Sequence, residues 1–149
     1  MTRLSFAKIA ALTAALGLAA VPTFAQTPNN LIGEWHLVGI NGLPANPGVT
    51  LNFEAPETGK AEAAFNGKAP CNRYFGTYTT EADRVTFSGV AATMMACPKL
   101  DEEGVYFKTL EPMTQIGMVE GHLVLMGPQD TVLEYSREVS DSTCITCGK

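Results

Sequence analysis

The fold of this protein is indicated most clearly by residues 70–98, which read PCNRYFGTYTTEADRVTFSGVAATMMACP. A cysteine lies near each end of this stretch, and two short runs lie between them. Residues 74–80 and 84–88 are rich in aromatic and β-branched side chains, which favour strands, and the polar residues between the runs are typical of a turn. The stretch therefore predicts a β-hairpin bracketed by two cysteines.

Extended runs continue on both sides of this hairpin. They share short length, apolar residues that tend to alternate with polar ones, and Gly, Pro or Asn at their ends. They cover residues 35–40, 49–53, 60–65, 113–119, 122–126 and 131–137. The first run ends at Asn41-Gly42, a strong hairpin signal.

One segment has the periodicity of a helix. Leu100, Phe107 and Leu110 recur at helical spacing, and acidic residues lie near the start, where the helix dipole favours negative charge. Pro98 suits the first turn and Pro112 ends the segment. The pattern predicts one helix over about residues 99–111.

Together these elements predict a mainly β fold. We count about eight antiparallel strands, with the helix inserted between strands five and six. Short strands at even spacing are typical of a closed or nearly closed β-barrel, which leaves few exposed strand edges.

The N-terminus has the features of a secretory signal peptide over residues 1–25. Arg3 and Lys8 precede an apolar run at residues 9–21, and small residues allow cleavage after Ala25. An uncleaved anchor is the alternative, but the run is short for a membrane span. We expect a polar leader at residues 26–30 and a periplasmic or secreted protein, soluble after cleavage.

The mature chain is expected to be acidic. Removing Arg3 and Lys8 with the signal peptide changes the formal net charge from −5 to −7, because that segment holds no acidic residue. An acidic surface repels phosphate backbones, so we expect no nucleic-acid partner. The remaining length suits one domain with a single core.

An ordered set of motifs resembles the META domain family of HslJ-like heat-shock proteins. The motifs are WHLVGING at residues 35–42, LNF at 51–53, CNRYFGTY at 71–78, TMMACP at 93–98, LVL at 123–125 and LEY at 133–135. The resemblance implies a lipocalin-like barrel over residues 31–138, an envelope location, and links to stress response or drug tolerance. It implies no enzyme activity. Pro70 departs from the family pattern, and no lipid-bearing cysteine follows the signal peptide.

Four cysteines follow the signal peptide: Cys71, Cys97, Cys144 and Cys147. Export permits disulfides, and three complete pairings are possible, of which proximity in sequence favours Cys71–Cys97. The C-x-x-C at the end lies in an expected flexible tail, residues 139–149. No helix can follow it to lower a thiol pKa, so a tail disulfide, or a cross-link to a partner, is favoured over redox catalysis.

The candidate binding surface comprises residues next to the two cysteine motifs. Its members are Asn72, Arg73, Tyr74, Thr93 and Met94. A turn-forming role for Asn72 and a half-buried strand position for Tyr74 are the alternatives. His36 and His122 are interpreted as ordinary strand residues, and we expect no metal site, cofactor or catalytic group.

The sequence therefore predicts a non-enzymatic exported protein that supports the envelope stress response or drug tolerance by binding an envelope component. One alternative is a barrel that carries a small molecule or lipid in its interior. Others are an enzyme inhibitor and a thiol-redox protein that uses the tail cysteines. We expect a monomer whose partner is an envelope protein or small ligand, without stable membrane insertion.

Overall fold

The structure is a computed structural model that describes residues 30–46 and 48–138, together with Cys144 and Cys147. The predicted signal peptide lies outside the described residues, as does most of the predicted tail.

The described chain is mainly β and contains nine strands and one α-helix. The elements, in order, are β1 (Gly33–Ile40), β2 (Leu43–Pro44), β3 (Thr50–Phe53), β4 (Ala63–Lys68), β5 (Arg73–Glu81), β6 (Arg84–Ala92), α1 (Leu100–Leu110), β7 (Gln115–Val119), β8 (His122–Met126) and β9 (Val132–Ser136). A short 3₁₀ turn, Pro128–Asp130, precedes β9. The mainly β, antiparallel fold predicted from the sequence is confirmed.

The strands form one antiparallel sheet whose hydrogen bonds run in a ring. Neighbouring strands pair in the order β2-β1-β3-β4-β5-β6-β7-β8-β9, and β1 also pairs with β9. The register between β6 and β7 holds a single residue pair, Arg84 with Gln115. β6 and β7 therefore share the shortest strand pairing in the sheet, and α1 lies in the connection between them.

The strand count differs from the prediction of about eight because of β2. This strand has two residues and pairs with Gly39 and Ile40 of β1. Asn41 and Gly42 both have positive φ, the conformation that a tight hairpin of this type requires. Two residues are too few to show alternation, so the sequence pattern did not reveal β2 as a strand.

The helix α1 has eleven residues and presents one side to the sheet. Its buried residues are Glu103, Tyr106, Thr109 and Leu110. In the described part of the chain, no helix is long and apolar enough to cross a membrane.

The interior of the ring is filled by aromatic and aliphatic side chains. Trp35, Phe53 and Phe65 are all at most 1% exposed and belong to one continuous core cluster. Gly76 makes this packing possible, since a Cβ there would lie 2.7 Å from the ring of Phe65. These rings form part of the close-packed core that the strands enclose.

Candidate functional site

The two cysteine motifs meet at one end of the sheet. Cys71, just before β5, forms a disulfide with Cys97, which precedes α1, and their Cα atoms are 5.9 Å apart. The bond holds the entry to the helix against the entry to β5. Residues next to both cysteines are thereby brought into contact.

Glu103 is the centre of the contacts beneath this disulfide. Its side chain lies on the first turn of α1, and the residue is 6% exposed. One carboxylate oxygen accepts hydrogen bonds from the backbone N–H groups of Cys71 (3.0 Å) and Asn72 (2.8 Å). The other accepts a bond of 2.7 Å from the Asn72 side-chain amide. Three hydrogen-bond donors therefore converge on this side chain at the N-terminal turn of α1.

Asn72 uses both ends of its side chain in the same network. Its Oδ1 accepts hydrogen bonds from the Thr93 hydroxyl (2.8 Å) and the Met95 N–H (2.7 Å). Its Nδ2 donates to Glu103 and, at 3.3 Å, to the carbonyl of Met95. Asn72 is 2% exposed. The side chain therefore ties three segments together and has little capacity left for a ligand.

The predicted binding surface is corrected at two of its five members. Asn72 and Tyr74 are buried, whereas Arg73, Thr93 and Met94 are exposed. The reason is strand alternation, since β5 points Tyr74 inward and Arg73 outward. Only the outward residues can meet a partner.

Three tyrosine hydroxyls form a buried chain next to this network. The hydroxyl oxygen of Tyr106 lies 2.5 Å from that of Tyr74 and 3.0 Å from that of Tyr135. The Tyr74 hydroxyl donates a hydrogen bond to the carbonyl of Thr50. Burial is the main cause that raises the pKa of all three, and it raises the pKa of Tyr106 to about 12. The hydroxyls are therefore neutral near pH 7 and serve as hydrogen-bonding core groups.

Sequence reasoning did not identify Glu103, Tyr106 or Tyr135 as members of a network. The sequence indicates only that Glu103 is one of the acidic residues near the start of the predicted helix. The available signal was the three-residue spacing between Glu103 and Tyr106, which places both on one face of α1.

An apolar groove lies between α1 and the β1–β2 hairpin. Its volume is about 420 Å³, and it is lined by Leu37, Ile40, Asn41, Leu43, Pro44, Ala45, Asn46, Val49, Pro70, Glu102, Val105 and Tyr106. Two of these large aliphatic side chains, Leu43 and Val105, are 69% and 56% exposed. This volume falls within the range of small-molecule sites.

The tail cysteines also form a disulfide, and it lies on the outer face of the sheet. A Cβ on Gly39 of β1 would be 2.5 Å from the sulfur of Cys144. The same sulfur is 3.4 Å from a carboxylate oxygen of Glu134, which is buried in β9. His122 of β8 contacts the other oxygen of Glu134 at 2.7 Å and is buried.

Among the described residues, no group of three or more His, Cys, Asp or Glu side chains is arranged to hold a metal ion. His36 and His122 lie near Glu34 and Glu134, respectively.

Comparison with known proteins identifies the family and the fold. The sequence profile of the META domain matches residues 29–140. No curated protein matches the chain. An NMR structure of a protein from Burkholderia xenovorans is similar, with 22% identity, a TM-score of 0.56, and coverage of 85% of this chain and 99% of that one. A crystal structure of a DUF4847 family protein from Bacteroides vulgatus has 16% identity, a TM-score of 0.58, and coverage of 74% and 96%. At these identities the two structures show the fold alone.

Proposed function

The chain belongs to the META domain family, and from this premise we propose that it is a non-enzymatic, exported binding protein of the bacterial envelope. It supports the response to envelope stress or drugs by holding the apolar part of an envelope component. In this proposal the ring of strands is the lipocalin-like barrel that the family resemblance implies, and the protein acts as a monomer.

The apolar groove is the observation that carries the proposal. Its walls are mostly aliphatic, and two of the side chains that line it, Leu43 and Val105, are more than half exposed. When a ligand covers exposed apolar surface in a concave site, the free energy of the system falls because that surface is removed from water.

The rim of the groove supports a particular ligand chemistry. Glu102 lines one side, and Asn41 and Asn46 line the other. Glu102 has no ion-pair partner among the described residues. We therefore propose an amphiphile whose apolar part fills the groove and whose polar end is cationic or donates hydrogen bonds to this carboxylate.

The first experiment measures binding of N-phenyl-1-naphthylamine, a neutral fluorescent probe, to the purified mature protein. We expect its fluorescence to rise on binding and dodecyltrimethylammonium to displace it more effectively than dodecyl sulfate. Val105→Asn should weaken probe binding because it places an amide in the groove. Leu100→Asn is the matched control, since Leu100 lies on the same helix, is 44% exposed and does not line the groove. Equal binding by both variants would reject the groove as the site.

The second experiment tests the cellular role. A strain that lacks the gene should grow more slowly under heat, oxidants or envelope-active drugs, and the intact gene should restore growth while Val105→Asn does not. Growth identical to the parent strain under all three stresses would refute the stress role. Pull-down from envelope extract, with and without reductant, would identify the bound component.

Thiol–disulfide exchange at the tail is a second candidate function. The supporting observation is the contact of Cys144 with the buried carboxylate of Glu134, which is placed to accept the thiol proton of Cys144 once a dithiol has reduced the disulfide. Insulin reduction by dithiothreitol tests it. Rates that stay the same after Cys144→Ser and Cys147→Ser would eliminate this candidate.

A further inference from the structure

A row of polar side chains crosses the outer face of four neighbouring strands. His36 of β1 lies opposite Thr50 of β3. Thr50 in turn lies opposite Lys68 of β4, and Lys68 lies opposite Arg73 of β5. We call these four residues the polar row. Because neighbouring strands lie about 4.8 Å apart, the row spans about 15 Å.

Lys68 and Arg73 form an unfavourable pair within this row. They lie directly opposite each other, and like charges in that position destabilise a sheet. Neither has an ion-pair partner among the described residues, although the chain has more acidic than basic residues. Both side chains are exposed. Their repulsion would be relieved by an anion bound between them.

The surface around this pair is concave on both sides. One depression, of about 400 Å³, is lined by Glu34, His36, Gly48, Thr50, Asn66, Gly67, Lys68 and Arg73. A second, of about 370 Å³, is lined by Lys68, Cys71, Asn72, Arg73, Thr93 and Met95. Lys68 and Arg73 line both depressions, so an anion bound by them can contact groups on either side.

The hydroxyl groups near Lys68 and Arg73 differ in whether they can donate a hydrogen bond to a bound anion. Thr50 Oγ1 accepts a hydrogen bond from the backbone N–H of Lys68, which leaves its hydroxyl hydrogen free to donate to a ligand. The Thr93 hydroxyl already donates to Asn72, so it cannot donate to an anion. The donors next to the pair therefore include the lysine ammonium, the arginine guanidinium and the Thr50 hydroxyl.

We propose that the polar row binds a hydroxyl-rich molecule bearing one phosphate or carboxylate group, with Lys68 and Arg73 as the charged ligands. Arginine binds such oxyanions through two parallel hydrogen bonds, and lysine adds a point charge. Glu34 at the far side of the same depression repels a second anionic group. Thr50 and Asn66 line the same depression, and their polar side chains suit the neutral hydroxyls of the ligand. The site is separate from the apolar groove and does not depend on it.

The experiment titrates the mature protein with glucose 1-phosphate, glucuronic acid and glucose, monitored by calorimetry or amide chemical shifts. We expect the two anionic sugars to bind and glucose to bind at least about tenfold more weakly, as expected for the loss of one charged contact. Cosedimentation with vesicles of phosphatidylglycerol or of phosphatidylcholine distinguishes a lipid headgroup from a free saccharide as the source of the anion.

Three variants separate the site from general electrostatics. Lys68→Gln and Arg73→Gln should each weaken binding by about tenfold or more, while the melting temperature stays equal or rises because the repulsion is removed. Arg84→Gln is the control, because Arg84 is an exposed strand cation that lines neither depression.

Several results would overturn the proposal. They are the absence of binding by the wild-type protein to any anionic probe, unchanged affinity in both row variants, or equal losses in Arg84→Gln. A lower melting temperature in Lys68→Gln and Arg73→Gln would also contradict it, since the pair would then be stabilising without a ligand.

Discussion

Two carboxylates are buried near the two disulfides of this protein, and they differ in what surrounds them. Glu103 lies near the Cys71–Cys97 disulfide and accepts hydrogen bonds from two backbone N–H groups and one side-chain amide. Glu134 contacts the tail disulfide and His122, on the outer face of the sheet. One carboxylate lies where the chain turns between elements, and the other lies beside Cys144.

The difference indicates which contacts the fold requires. Backbone N–H groups buried at a turn must find an acceptor, because leaving them without one costs free energy comparable to a lost hydrogen bond. Glu103 supplies that acceptor for Cys71 and Asn72. The contacts of Glu134 with Cys144 and His122 are between side chains. We therefore expect the first region to contribute more to stability than the second.

Removing the disulfide of the first region should have the largest effect. It closes a loop with a sequence separation of 26 residues, which corresponds to about 3.5 kcal/mol of loop-closure entropy. The double variant Cys71→Ser with Cys97→Ser should lose roughly this much free energy of unfolding in urea denaturation. A loss below about 1 kcal/mol would show that the Glu103 network holds the two segments without the bond.

Replacing Glu103 with glutamine should have the next largest effect. The amide cannot accept all three hydrogen bonds, so at least one buried N–H loses its acceptor, at a cost of about 2–3 kcal/mol. Denaturation of Glu103→Gln measures this loss. The control is Glu102→Gln, an exposed neighbour, which we expect to change stability by less than about 0.5 kcal/mol. Equal effects of the two variants would contradict the assigned role.

The tyrosine chain predicts a loss of stability at high pH. The folded-state pKa of Tyr106 is about 12, raised by burial from the ordinary value of 10.0, so folding favours the neutral phenol. This contribution to the free energy of unfolding, about 3 kcal/mol, is present in full below pH 10 and is lost as the pH rises through about 12. Tyr106→Phe should reduce the decline in melting temperature between these pH values. An unchanged decline would show that other groups cause it.

Breaking the tail disulfide should have the smallest effect. Cys144 and Cys147 are three residues apart, and so short a loop restricts the unfolded chain by only about 1.5 kcal/mol. Cys144→Ser with Cys147→Ser should therefore destabilise the protein less than the corresponding change at Cys71 and Cys97. The reverse order would mean that the outer face contributes more to stability than the first region.

The sequence predicted the candidate site only in part. The cysteine motifs indicated that residues near Cys71 and Cys97 cluster, and the structure brings Asn72 and Thr93 into contact. The sequence did not show that the hydrogen-bonding groups of the Asn72 side chain are all engaged within the protein. Nor did it show that Glu103 faces inward. Which side of a helix is buried depends on what packs against it, and the partner of α1 lies 31 residues earlier in the chain.

The apolar groove and the polar row were also beyond sequence reasoning. The groove joins Leu43 to Val105, and the row joins His36 to Arg73 through two strands that lie between them. Neither set has a local pattern, because cross-strand neighbours are set by register and loop length, not by distance along the chain.

The sequence by itself determined the mainly β character, the antiparallel hairpins, the helix α1 and the family. These follow from local rules, since alternation, turn residues and helical spacing act over a few residues at a time. The tertiary structure alone decided the pairing of β1 with β9, the inward position of Glu103 and the juxtaposition of Lys68 with Arg73. Such contacts depend on how distant segments satisfy one another's hydrogen bonds and fill one core, which is a property of the whole chain.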